Sequence, residues 1–299
     1  MPPQNPAPPT LSVVLCTWNA VAYLEDCLDS LQAQQDPPDE VLVVDGGSRD
    51  GSRERVELFA ARVSFPVRWL DQGPEPGLAV ARNVGIREAT GRVISFIDVD
   101  ARARPDWVGR VRRAFQEDPG LTGLGGQGVE VGSSPADRFR AAYFTQGWGP
   151  RPLDQAPFLF GLCSHYRREA LLEAGLYDPG FRSSGEDVEM GLKLRARGHR
   201  LRYDPEVVVF HARRDDWASL EKMVDRWAYY GHLAQLRHGR GRRPAAFYWA
   251  RLAWLVARWL VRDAFRTART LEGWWRRPLY DLVETRAVLR ASRDAAGSR

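Results

Sequence analysis

The chain has 299 residues, 44% of them apolar and 27% charged, a formal net charge of +5 and three cysteines. That length accommodates one large α/β domain with an appendage, or two modest domains. Cys16, Cys27 and Cys163 are odd in number and far apart, which suits a reducing compartment and no disulfide framework.

Residues 1–10 are proline-rich and uncharged, a disordered lead-in that is neither a signal nor a transit peptide. From Leu11 to about Val131 short apolar runs alternate with helical patterns. Strands are predicted at 12–17 (SVVLCT), 40–45 (EVLVVD), 67–70 (VRWL) and 92–98 (RVISFID), and helices at 20–34, 51–62, 78–89 and 105–117. Continuous Val/Ile/Leu runs between helices imply an α/β fold whose mostly parallel central sheet is flanked by helices on both faces. Residues 132–161, rich in Gly, Pro and aromatics, read as long loops around a helix near 136–144. Order returns with helices near 168–174 and 185–197, a strand at RLRYDPEVVVFH (200–211) and a helix over 217–236. RHGRGRRP (237–244) reads as a linker, and 245–293 as one or two amphipathic helices. The expected organisation is therefore a lead-in, a catalytic domain over 11–236 with halves at 11–131 and 132–236, and a tail over 237–299.

Ligands of open parallel sheets bind at the carboxyl ends of the strands. Asp45, Asp98 and Asp100 all stand at such ends. Strand-end carboxylates make an oxygen-ligand site suited to Mg²⁺ or Mn²⁺, especially when a ligand's phosphates complete the coordination. Two plainer readings compete. Asp45, in DGGS, is also a turn former, and Asp98 and Asp100 can pair with Arg102 and Arg104 on the surface. A dinucleotide dehydrogenase is excluded, because the first strand runs into TWNAVAYL, without the glycines of a pyrophosphate turn.

Taken in order, SVVLCTWNAVAYLEDCLDSL, VLVVDGGSRDGS, GLAVARNVGIREATGRVISFIDVD and SGEDVEMGLKLRARGHRLRYDPEVVVFHA resemble the family-2 glycosyltransferases of the GT-A fold, from about Ser12 to Tyr230. The resemblance implies a nucleotide-diphosphate sugar donor, Mn²⁺ or Mg²⁺ as cofactor, a glycan or lipid-linked acceptor, and transfer with inversion. It places Thr17 and Asn19 beside the nucleotide base, with Asp45 hydrogen-bonded to that base. Arg82 falls near the diphosphate, and Asp98 at the ribose or the metal. Asp100 is implied as the direct metal ligand, His211 as a second ligand, and Asp187 as the general base with Glu186 beside it. Each role is chemically apt: a metal neutralises charge growing on a diphosphate leaving group, and inversion needs one base on the acceptor side. Alternatives remain open here, since SGED (184–187) is close to a helix-capping box and His211 could be structural.

Two departures bear on the nucleotide and the metal: Gly46 stands where the family often has a second Asp, and Ala101 where it often has a further Asp. Residues 132–166 are expected on the acceptor side, where Phe144 and Trp148 either stack on sugar or lipid or close a small core. RWAYYG (226–231) resembles a Gln-x-x-Arg-Trp motif of processive relatives, but Met223 replaces the glutamine, which argues against a polymerising synthase. The rival function class is a catalytically silent sugar-nucleotide or glycan-binding scaffold. Joint retention of Asp100, Asp187 and His211 favours the enzyme.

Charge is concentrated in the tail. Residues 237–299 hold 15 Arg against 5 Asp or Glu, and the remainder 28 basic against 33 acidic residues. On a helical wheel of 246–270, Arg251, Arg258, Arg262, Arg266 and Arg269 share one side, opposite Trp249, Leu252, Val256, Trp259 and Leu260. The apolar run is too short to span a bilayer. It suits a helix lying in a membrane interface, which places the protein in the cytoplasm at the inner face of the membrane. A helix packed on the catalytic domain, or a dimer seam, are the other readings, and continuous apolar area makes nucleic acid the least suited partner. Donor sugar, acceptor and oligomeric state are not encoded in these patterns.

Overall fold

The structure, a computed structural model, describes residues 7–263 and 274–297. Four parallel strands, β1 (Leu11–Thr17), β2 (Glu40–Asp45), β3 (Val67–Asp71) and β4 (Val93–Asp98), lie in the order β3-β2-β1-β4. Thr17 pairs with Asp45 and Cys16 with Asp98, so three strands end level with one another. Side chains alternate across the pleat. Val13, Leu15, Val41 and Val43 pack against α1 (Val21–Gln32), α2 (Ser52–Ala60) and α4 (Trp107–Glu117), with Trp107 fully buried. Val14, Leu42 and Val44 face the other way, onto α3 (Leu78–Glu88) and α7 (Glu186–Ala196). Gly85 of α3 is required by that closeness, since a Cβ there would lie 2.4 Å from Val14.

Beyond β4 the sheet is mixed. β7 (Cys163–Arg167) is antiparallel to β4 and to β6 (Gly123–Glu130), β6 is parallel to β8 (Leu201–His211), and β5 (Ala101–Ala103) closes the edge antiparallel to β8. The α/β fold and helix-covered parallel half agree with expectation. Strands β5, β6 and β7 lie where the sequence pattern predicts none. β6 reads GLGGQGVE, four glycines with little strand propensity, yet a Cβ at Gly126 would sit 2.2 Å from the Val207 carbonyl and 2.4 Å from Cys163 Sγ. Close approach of β6 to its neighbours, which no sequence window reveals, demands the glycines. Pro205 is tolerated inside β8 because the register with β6 slips between Gly125 and Gln127.

The 132–161 segment carries α5 (Pro135–Tyr143), opened by a Ser134–Asp137 capping box, and is followed after β7 by α6 (Arg168–Glu173). Helix α8 (Trp217–Arg237) opens with an Asp216–Ser219 capping box. Then come α9 (Ala245–Arg258), which runs into a π-helical turn, and α10 (Arg277–Gly297). Tyr280 of α10 enters the core formed by Phe139 of α5 and Leu220, Met223 and Val224 of α8. The α8–α10 seam is pinned by Arg290–Asp225 and Tyr229–Asp294 contacts, both 2.7 Å. Arg266 and Arg269 of the expected arginine stripe lie outside the described residues. Among the described residues no helix is long and apolar enough to cross a membrane.

Candidate active site

The end of β4, the turn before β5, the start of α7 and the end of β8 converge on a cleft of about 760 Å³. Arg82, Asp98, Asp100, Glu186, Asp187 and His211 all line it. Thr17, Asn19 and Asp45 do not. Thr17 and Asp45 end β1 and β2, and Asn19, in the loop after β1 and in left-handed backbone (φ 47°), accepts from the Arg49 N–H and donates its own N–H to Ser48. Asp45 accepts from the N–H groups of Gly47 and Ser48 and from the Ser48 hydroxyl, so its carboxylate builds the β2 turn. The buried Thr17 hydroxyl has no hydrogen-bond partner among the described residues.

Two resident cations compensate the paired aspartates. Arg82, 2% exposed, donates to Glu186 at 2.7 Å and lies 3.4 Å from Asp98, its guanidinium held over the rings of Phe96 and Tyr177. Asp100 lies 3.4 Å from His211 Nε2. The surface-pair alternative is not what forms: Arg102 pairs with Asp26, and Arg104 with Asp106 and Glu206. Burial raises the Asp98 carboxyl against the pull of Arg82, and the nearby Asp100 charge adds to the rise. Burial acts on Asp100 too, but the hydrogen bond and charge of His211, with Arg213 behind, hold it below the ordinary carboxylate value. One carboxylate is thereby favoured as an anion beside one held back, the usual outcome for two like charges in a single site.

Asp187 stands in the first turn of α7. Its oxygens accept from the N–H groups of Gly161 (3.2 Å) and Val188 (2.8 Å). The capping box does not form: the N-cap is Gly185, in left-handed backbone, with no side-chain cap. Asp187 is thus left half-buried and facing the cleft. Burial raises its carboxyl against the pull of Arg82 and of those two backbone donors. Burial likewise pushes Glu186 up to about 7 despite Arg82, and its second oxygen has no hydrogen-bond partner among the described residues.

The sequence did not point to the support behind His211. Strand pairing sets His211 beside Ala101 on one side and Glu130 on the other. His211 Nδ1 is 3.0 Å from both Glu130 oxygens, and Arg140, fully buried, holds Glu130 at 2.7 Å. Arg140 also bonds Asp215, and Gln146 reaches His211 Nδ1 at 3.2 Å. Burial pulls the His211 imidazole down, but hydrogen bonds and charge from Asp100 and Glu130 outweigh it and hold it up at about 9. A carboxylate on Nδ1 leaves Nε2 aimed at Asp100, the arrangement metal-binding histidines use. With Asp98 and Asp100 supplying oxygens, this donor set fits a hard divalent cation. Among the described residues no three His, Cys, Asp or Glu side chains are gathered tightly enough to hold a metal alone, so ligand oxygens are needed to complete the shell.

Phe144, Arg213, Arg226 and Trp227 also line the cleft. Trp148 faces away: it donates to the Phe158 carbonyl and packs on Phe158 and Phe160, so it belongs to the core. Met223 is buried in α8 beneath Arg226 and Trp227.

Residues 12–175 match the family model described as glycosyl transferase family 2. Glycosyltransferase AglE of Haloferax volcanii is 25% identical over 227 residues, 72% of this chain and 70% of that protein. The pre-mycofactocin glycosyltransferase of Mycobacterium tuberculosis is 28% identical over 269 residues, which are 85% of this chain but only 54% of that relative. The chain thus spans about half the length of the second relative. Among solved structures, the mannosyltransferase PcManGT from Pyrobaculum calidifontis, in complex with GDP-Man and Mn²⁺, superposes with a TM-score of 0.68 at 22% identity, covering 96% of this chain and 90% of that one. At that identity the superposition establishes the GT-A fold.

Proposed function

The chain belongs to glycosyl transferase family 2, and on that premise we propose that it moves a sugar, with inversion, from a nucleotide-diphosphate donor to an acceptor hydroxyl on a glycan or lipid-linked glycan. The observation that carries this reading is that the strand-end aspartates and the α7 carboxylates share one cleft. Asp187 takes the proton from the acceptor hydroxyl as that oxygen bonds to the anomeric carbon. The bond from that carbon to the diphosphate breaks, and the nucleoside diphosphate leaves. A carboxyl raised by burial is a stronger base than a solvated one, and such a base contributes about 10²–10⁴-fold in rate. Arg82 keeps Glu186 and Asp98 in place beside it.

Asp100 and His211, with Asp98 beside them, would hold Mn²⁺ or Mg²⁺, which when bound neutralises charge on the leaving diphosphate. The complex of PcManGT with GDP-Man and Mn²⁺ supports that pairing of donor and metal. Thr17, Asn19 and Asp45 form the nucleotide side of the site, and Phe144, Arg226 and Trp227 the acceptor side. A silent scaffold would have no use for a half-buried Asp187 facing the metal ligands.

The test is a thermal-shift panel of nucleotides and nucleotide sugars with and without Mn²⁺. A shift that requires nucleotide and Mn²⁺ together, and that Asp100→Ala abolishes, is expected. Metal-independent shifts of equal size in both proteins would remove Asp100 as a ligand.

A further inference from the structure

We propose that the outward face of α9 docks on the surface of an anionic lipid bilayer. The wheel expectation is only half met. Tyr248, Leu252, Leu255 and Val256 turn inward against the protein, whereas Arg251 and Arg258 are exposed beside Asp281 and Glu284 of α10. What remains outside is apolar. At 100° per residue, Phe247, Trp249, Ala250, Ala253, Trp254 and Ala257 fall within an arc of about 160° with no polar side chain between them, and all six are exposed.

Burying one apolar stripe satisfies an ordinary surface helix. A second apolar arc left in water is costly unless something covers it. Trp254 is 58% exposed, and the following turn leaves Val261 84% exposed. Seven of the thirteen large apolar side chains exposed among the described residues lie between Phe247 and Leu279.

Charge decides the occupant. From Arg240 to Arg262 the sequence has six arginines and no carboxylate. Arg240, Arg242 and Arg243, in the loop before α9, are exposed. Arg243 lies over the Phe247 ring and Arg258 over the Trp254 ring. A second copy of the chain would bring this basic rim against itself. Anionic headgroups meet the rim, while tryptophans favour the interface and the alanines let the helix approach closely. Arg243, Phe247, Tyr248 and Arg251 also line the same cleft as Asp100. Docking therefore sets the mouth of that cleft at the headgroup level, where the lipid-linked acceptor of the proposed transfer would enter.

The experiment is sedimentation of the full chain, without nucleotide or metal, with phosphatidylcholine vesicles carrying about one-third phosphatidylglycerol and with pure phosphatidylcholine vesicles. Binding to the anionic vesicles alone is expected, weakening as salt shortens the screening length from about 10 Å at 0.1 M to about 3 Å at 1 M. The double variant Trp249→Ser/Trp254→Ser should lower partitioning by about tenfold or more at unchanged Tm. Arg240→Glu/Arg242→Glu, in the loop, should abolish the preference for anionic lipid and covers the case in which the tryptophan variant fails to fold. Absence of binding to anionic vesicles, or binding that both variants leave intact, overturns the proposal. So does a dimer in sedimentation velocity that the tryptophan variant dissolves. Because neither donor nor metal is present, failure here leaves the proposed transfer standing.

Discussion

Gly161→Ala perturbs the site by a single methyl group. Gly161 does not have a positive φ, so alanine meets no backbone penalty there, and the effect is purely steric. A Cβ at this position would lie 2.5 Å from Arg82 Nη2 and 2.8 Å from Nη1. Ordinary contact needs about 3.5 Å, so the guanidinium must retreat by about 1 Å. It is boxed in by Phe96 and Tyr177 at 5.2 and 5.6 Å. Retreat therefore stretches the 2.7 Å bond to Glu186 beyond hydrogen-bond range. Glu186 is 3% exposed, and among the described residues one of its oxygens is unpartnered and no other cation is in contact with it. Breaking a buried pair while leaving its charges inside costs about 3–5 kcal/mol. Urea denaturation should thus show the midpoint falling by that equivalent at unchanged m-value, and turnover should fall with it because Asp187 accepts the Gly161 N–H. The triple variant Gly161→Ala/Arg82→Met/Glu186→Met should recover part of the lost stability, since the clash and both buried charges are gone together. Stability within about 0.5 kcal/mol of the parent would refute the claim that Arg82 is held by this packing.

Further outcomes follow from the same geometry. Asp187→Asn should lower kcat by about 10²–10⁴-fold with nucleotide affinity unchanged by calorimetry, because the amide oxygen still accepts one backbone N–H; unchanged turnover would remove Asp187 as the base. Glu130→Gln should weaken Mn²⁺ binding, read by electron paramagnetic resonance, by about 10–100-fold, since Arg140 then faces an amide and His211 loses the carboxylate on Nδ1; equal affinity would make Glu130 merely structural. His165 is buried, 2.9 Å from the Ser95 hydroxyl, and burial pulls its imidazole down to about 3. Above about pH 6.5 it adds no pH dependence. Below that, the unfolded chain takes up a proton the folded chain refuses, and stability should fall by about 5 kcal/mol by pH 3. His165→Gln should flatten that slope, and an unaltered slope assigns acid sensitivity to other groups.

Much of the site is legible at short range. Asp98 and Asp100 declare themselves by ending an apolar run, and the four strands from 12 to 98 by their Val/Ile/Leu content, because a strand buried on both faces must be apolar throughout. Helix α7 and its Glu186–Asp187 pair are likewise visible in order along the chain.

What local patterns could not supply were the partners. Glu130 lies 81 residues from His211 and Arg82 104 residues from Glu186, separations that no local window spans. The register of β6 on β8, admitted by glycines whose missing side chains let the neighbours approach, brings Glu130 to His211, and the packing of helices α3 and α7 on the sheet brings Arg82 to Glu186. Residue order alone dictates most of the strands and helices and which of their ends carry acid. Long-range packing settles that Arg82 and His211, rather than Arg102 and Arg104, answer those acids, and that α9 keeps one apolar face inside and leaves another outside. Local patterning reports what a side chain can bury, whereas the identity of its partner depends on contacts closed across the whole chain.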